Sequence, residues 1–130
     1  MSLSAEDSLA ILQLVTEADE CASARDAEGY VELFTEDGVM TDSTGTAAGR
    51  AELAATVAYA WFEEPSGTLH LTLNPTIDDS EEDPTVHSVM LVVLPNGPPR
   101  ILHVARIRQT MRCTPDGWRI AVRETLNGAG

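Results

Sequence analysis

The hydrophobic period of the chain changes once, at Pro65-Ser66-Gly67, and this change constrains the fold more than any other feature. Before it apolar residues recur every three or four positions, and after it they alternate, so helices come first and strands follow. Ile11, Leu14, Val15, Ala18, Cys21 and Ala22 share one face of a helix predicted over 5–25, with Ser4 and Asp7 as its capping signature. Asp26 can cap a second, short helix that buries Tyr30, Leu33 and Phe34 and ends at the Glu36-Asp37-Gly38 turn. Leu53, Val57, Ala60 and Trp61 mark a third helix over 50–63. Between the last two helices, residues 39–42 read as a short strand and 43–49, rich in Gly, Ser and Thr, as a flexible loop. Beyond the change of period, strands are predicted over 69–77, 86–94, 101–113 and 118–126, the last two joined by Thr114-Pro115-Asp116-Gly117. Three helices followed by a four-stranded meander predict an α+β fold, with the helices on one face of a curved antiparallel sheet.

A chain of 130 residues fits one domain, 1–130, with a sizeable core. It has no apolar run near the length a membrane span needs, and MSLSAEDS lacks the basic and apolar segments of a secretory signal, so the expectation is a cytoplasmic protein without a membrane partner. The formal net charge of −13 argues against nucleic-acid binding, which draws on a basic surface. That charge is uneven: residues 1–84 hold 19 acids against 2 Arg, and 85–130 hold 6 Arg against 2 acids. The halves are therefore expected to face each other within the fold or across a dimer. All eight basic residues are Arg, which removes Schiff-base chemistry and a lysine base. Cys21 and Cys113 match no metal spacing, and with three scattered His no metal site is expected.

Leu33-Phe34-Thr35-Glu36-Asp37-Gly38-Val39, Asp42 to Gly45, Gly49-Arg50-Ala51-Glu52-Leu53, His70, Asn74, Asp116-Gly117-Trp118-Arg119-Ile120 and Arg123 together resemble the NTF2-like superfamily and, within it, the SnoaL-like group. The resemblance runs nearly end to end. It implies a cone with a deep, mostly apolar pocket, often dimeric through the sheet. It also implies relatives as varied as polyketide cyclases, ketosteroid isomerases, scytalone dehydratase and the small subunits of ring-hydroxylating dioxygenases, so it carries a pocket without a chemistry.

Asp42-Ser43-Thr44-Gly45 is similar to the general-base segment of the ketosteroid isomerases, but the oxyanion donors of those enzymes match Ala18 and the Ala105-Arg106 step, which makes steroid isomerisation a poor fit. His70 resembles a catalytic histidine of scytalone dehydratase, where a neutral imidazole can take a proton from carbon and return it to a leaving hydroxyl. The Tyr-Asp pair of that enzyme matches Ala22 and Ser23 here, so half of its constellation is absent.

In the last hairpin, pairing Cys113 with Trp118 would set Arg112 opposite Arg119 and Arg108 opposite Arg123. Four like charges on one face call for an anion, from the 78–83 loop, a partner subunit or a bound ligand. The opposite face, Ile107, Met111, Trp118, Ile120 and Val122, reads equally as a pocket wall, with His103 and Gln109 as polar contacts, or as ordinary core.

The leading expectation is a homodimer holding a small, largely apolar, aromatic or polyketide-like molecule. Any reaction would be acid–base isomerisation, dehydration or cyclisation without metal or cofactor. Asp42 would be the base, His70 the proton shuttle, and Tyr30, Asn74, Trp61, His103, Ile107 and Gln109 the ligand contacts. Two readings stay open beside it: a non-catalytic ligand-binding or assembly module in which Asp42 and His70 are structural, and the small subunit of a ring-hydroxylating-oxygenase-like complex.

Overall fold

The first helix sets the frame on which the sheet closes. In the computed structural model, which describes residues 2–126, α1 (Ala5–Ala24) starts where the Ser4 hydroxyl accepts the Asp7 N–H at 3.0 Å, and it ends at Arg25 in the left-handed region (φ 59°). It buries Ile11, Leu14, Val15, Ala18 and Ala22, and Asp7 accepts the indole N–H of Trp118 at 3.2 Å, which ties the first helix to the last hairpin. Next, α2 (Ala27–Glu32), capped by Asp26, buries Tyr30 and Val31, and α3 (Arg50–Phe62) buries Leu53, Val57 and Trp61. These stripes meet around Phe34 and Ile120, both fully buried. No helix of the described residues is long and apolar enough to cross a membrane.

Six strands form one sheet in the order β2-β1-β6-β5-β4-β3, where β1 is Phe34–Asp42, β2 Gly45–Ala48, β3 Leu69–Asp78, β4 Thr85–Leu94, β5 Arg100–Thr114 and β6 Gly117–Leu126. The meander is as expected, but the sheet is larger and mixed. β1 pairs parallel with β6, and the predicted 43–49 loop contains β2, paired antiparallel with β1. Gly, Ser and Thr suggested a loop there, yet a strand paired on one side only can form with little side-chain burial. The second helix also ends earlier than predicted, because β1 begins at Phe34 and bulges before Val39. At Gly38 a Cβ would lie 3.0 Å from the Phe34 side chain and the Thr35 carbonyl, so a side chain there would crowd the bulge.

Two further bulges decide what faces the helices. In β5 and β6 the pairs Arg112↔Arg119 and Cys113↔Trp118 form as expected, but Thr110 opposes Val122 while Met111 opposes Ile120, leaving Ala121 as an extra residue. Each residue of β6 beyond it changes side. Arg108 therefore opposes Glu124 instead of Arg123, and the two form a bidentate ion pair at 2.9 and 3.0 Å. Arg123 opposes the buried Gln109, on the helix side, and Val122 moves to the outer side with Thr110. In β3 the ladder skips Asn74 and Pro75, with Asn74 at φ 53°. A proline has no N–H for a ladder, and an edge strand tolerates it.

Candidate functional site

Between the helices and the inner face of the sheet lies an open cavity of about 940 Å³, to which all three helices and strands β1, β3, β4, β5 and β6 contribute. Its walls are mostly apolar, with Ala18 and Ala22 from α1, Val57, Ala60 and Trp61 from α3, and Met90 and Val92 from β4. Polar groups interrupt them, among them Asp19, Tyr30, Glu64, His70 and Arg123 in the walls and Asp42, Ser43, Thr44 and His103 nearer the opening. A mostly apolar concavity with a few convergent polar groups is the usual form of a small-molecule site.

His70 sits on β3 with its side chain inward, 9% exposed, because the alternation that turns Leu69 and Leu71 outward turns it in. Its Nε2 lies 2.9 Å from both carboxylate oxygens of Glu64. A carboxylate accepts, so in the neutral imidazole Nε2 carries the proton and Nδ1 is the basic nitrogen, with no hydrogen bond to any described residue. The geometry is held from α1. The Ser23 hydroxyl accepts the His70 N–H at 2.9 Å, and Arg25 donates to the carbonyls of Glu64 and Pro65 at 2.6 and 2.8 Å. Trp61 packs edge-on against both His70, at 6.2 Å between ring centres, and Tyr30, at 5.1 Å.

Burial raises the Asp19 carboxyl above its ordinary value, with Thr72, Arg123 and His70 acting against that rise. Burial likewise pushes the Tyr30 phenol up, so Tyr30 keeps its proton and can only present a hydroxyl donor to a bound oxygen at neutral pH. Asp42 behaves differently. It stands at the cavity rim, exposed, with its carboxylate turned into the β1–β2 turn, where it accepts the hydroxyl and the N–H of Thr44, the latter at 2.7 Å. These bonds hold its pKa below the ordinary value, the Thr44 hydroxyl contributing most.

Of the residues expected at a site, Asp42, His70, Tyr30, Trp61 and His103 line the cavity, with His103 exposed at its edge, while Asn74, Ile107 and Gln109 do not. Asn74 is exposed because its left-handed backbone serves the β3 bulge. Ile107 and Gln109 point inward but are buried beneath neighbouring side chains, and Gln109 Oε1 has no partner among the described residues. Asp42 and His70, expected to act as a pair, form no hydrogen bond with each other; Glu64 is the partner of His70. The groups that sequence reasoning missed are Asp19, Glu64, Arg123 and the supporting Ser23. Asp19 was marked by its place beside Ala18 and Ala22 on the apolar stripe, whereas Glu64 and Arg123 depend on a turn and a bulge that leave no periodic signal.

No group of three or more His, Cys, Asp or Glu is placed to hold a metal ion among the described residues. Three helices packed on one face of a curved six-stranded sheet, with a cavity between the layers, define an NTF2-like, or cystatin-like, domain. The chain belongs to the SnoaL-like domain family, whose sequence model matches residues 3–124.

It is 32% identical to an NTF2-like protein with a cystatin-like fold from Novosphingobium aromaticivorans (TM-score 0.80, 95% of this chain and 84% of that one covered). It is also 25% identical to a Nostoc punctiforme protein of unknown function with a cystatin-like fold (TM-score 0.85, 96% and 93% covered). A Catenulispora acidiphila protein in complex with S-DNPA shares the fold at 20% identity (TM-score 0.80, 94% and 95% covered). No curated protein matches the chain.

Proposed function

We propose that the cavity binds a small, largely apolar, aromatic or polyketide-like carbonyl compound and moves a proton on it without metal or cofactor, in an isomerisation, dehydration or cyclisation. The observation that carries this reading is the His70–Glu64 pair, a buried imidazole whose Nε2 is held by a carboxylate in the wall of an apolar cavity. His70 Nδ1 takes a proton from the carbon beside the carbonyl, and Glu64 stabilises the imidazolium that forms. The Tyr30 hydroxyl donates to the oxygen that becomes an enolate. The imidazolium then returns its proton, to a second carbon in an isomerisation or to a departing hydroxyl in a dehydration. Asp42 is given a structural part, since Thr44 already occupies its carboxylate. The relative bound to S-DNPA supports a small-molecule site in this fold.

The outer face of the sheet supports a homodimer. Leu71, Leu91 and Val104 lie in register across β3, β4 and β5, beside the row Leu69, Val93 and Ile101, and the side chains of Ile101 and Val104 are 65% and 48% exposed. A second copy would cover this apolar surface, with Arg106 at its edge.

The reading is tested by proton exchange on an enolisable apolar ketone. It should fall in His70→Gln while the ketone still binds. Binding without exchange in the wild type would instead favour a non-catalytic carrier, in which Ser23 and Glu64 fix His70 as a structural residue.

A further inference from the structure

Every guanidinium of the described chain but one either finds an oxygen or stands in solvent. Arg25 and Arg50 donate to backbone carbonyls, Arg108 and Arg112 to carboxylates, and Arg119 to the Trp118 carbonyl. Arg100 and Arg106 are exposed. Arg123 is half-buried in the cavity wall, and its one hydrogen-bond contact among the described residues is the Met90 sulfur at 3.3 Å, a weak acceptor. A guanidinium presents five donors in a planar fork suited to two oxygens of one carboxylate. The Ala121 bulge places that fork inside the cavity; without it Arg123 would lie on the outer face beside Arg108.

We propose that Arg123 is the anion anchor of the cavity, so that its ligand is an apolar molecule carrying a carboxylate, bound with that group on the guanidinium and its apolar body against Trp61, Val57 and Met90. This deepens the reading above and rests on the cavity being the ligand site. Tyr30 faces the same space with a hydroxyl that has no partner among the described residues, so it stays free for the carbonyl oxygen of the ligand while Arg123 holds the carboxylate. Asp19 is near enough for the two charges to act on each other, but no ion pair joins them among the described residues. Burial works against the charged form of Asp19, so Asp19 competes less well for Arg123 than a surface carboxylate would. The carboxylate anchor also favours one end-to-end orientation of the ligand, adding to the contact of its carbonyl oxygen with Tyr30.

The experiment compares 2-naphthoate with 2-naphthamide by isothermal titration calorimetry on wild type, Arg123→Gln, Arg123→Lys and the surface control Arg106→Gln. The two probes share an apolar body and differ in charge. The expected result is that wild type and Arg106→Gln prefer the carboxylate by roughly tenfold or more, as a charge-assisted bidentate contact requires. Arg123→Gln should lose that preference while still binding the amide, and Arg123→Lys should retain part of it. Equal affinity for the two probes in wild type overturns the proposal even if no variant folds, and so does a preference that survives in folded Arg123→Gln. Either result with both probes bound leaves the cavity as the ligand site. Failure of wild type to bind either probe contradicts the anchor and the cavity reading together.

Discussion

His70 Nε2 lies 2.9 Å from both oxygens of Glu64, a residue six positions earlier in the chain at the end of the turn that follows α3. This fixes the tautomer: Nε2 holds the proton and Nδ1 carries the lone pair. Nitrogen NMR on the neutral imidazole should therefore show a single tautomer protonated at Nε2 in the wild type. In Glu64→Gln the amide can donate as well as accept, and the spectrum should move toward a mixture of tautomers. An unchanged spectrum in the variant would mean that Glu64 does not set the proton position.

The backbone of His70 is held separately from its ring. Ser23→Ala removes the acceptor of the His70 N–H and should cost about 1 kcal/mol of stability, within the range for leaving a part-buried donor unmatched. A cost indistinguishable from zero in urea unfolding would show that water or a shift of β3 replaces the hydroxyl.

Asp19 and Asp42 are expected to act on stability in opposite directions as pH changes. The folded pKa of Asp19 is raised, so the native state holds its proton more tightly than the unfolded chain does. The associated stability is present below the ordinary aspartate value and is lost as pH rises through the folded value. Asp19→Asn should remove that slope and make the protein more stable than wild type at pH 7. The folded pKa of Asp42 is lowered, so its contribution is present above the ordinary value and is lost as pH falls through the folded one. Asp42→Ala should cost no more than about 1 kcal/mol at pH 7, because its hydrogen bonds face solvent, and should leave the affinity for cavity ligands within a factor of about three. Urea unfolding of both variants from pH 3 to pH 8 checks the two signs.

Replacing Leu71 and Leu91 together by Arg should convert the proposed dimer to a monomer with an unchanged far-ultraviolet spectrum. The side chains stand opposite each other on the outer sheet face, and each apolar side chain covered by a partner contributes roughly 1.5–3 kcal/mol. Light scattering after gel filtration gives the mass directly. A wild-type monomer, or a variant that stays dimeric, contradicts an interface at this face.

How much of this was legible in the sequence differs between elements for physical reasons. The apolar stripes of α1 and α3 and the alternation of β3 to β6 report which side is buried, so the α+β layers follow from them. The Cys113–Trp118 register follows from the turn chemistry. Local pattern does not report pairings between distant segments or interruptions within a ladder. β1 against β6 joins strands separated by the whole meander, and the Ala121 bulge reverses Arg123 and Glu124 without altering the composition of either strand. A single inserted residue thus moved one cation from the outer face to the cavity, and the pocket chemistry could not be read without it. The motif-like Asp42 was visible for the opposite reason: Asp-Ser-Thr-Gly is favourable turn chemistry, and the structure uses it as a turn.

The most direct measurement of the central claim is proton exchange on 2-tetralone, an apolar aromatic ketone, followed by deuterium incorporation beside its carbonyl in heavy water with wild type, His70→Gln and Glu64→Gln. A positioned general base contributes roughly 10²–10⁴-fold, so the wild type should exceed buffer, His70→Gln should lose most of that excess, and Glu64→Gln should fall between them. Exchange by wild type no faster than by His70→Gln, with both proteins folded and binding the ketone, would contradict His70 as the group that moves the proton.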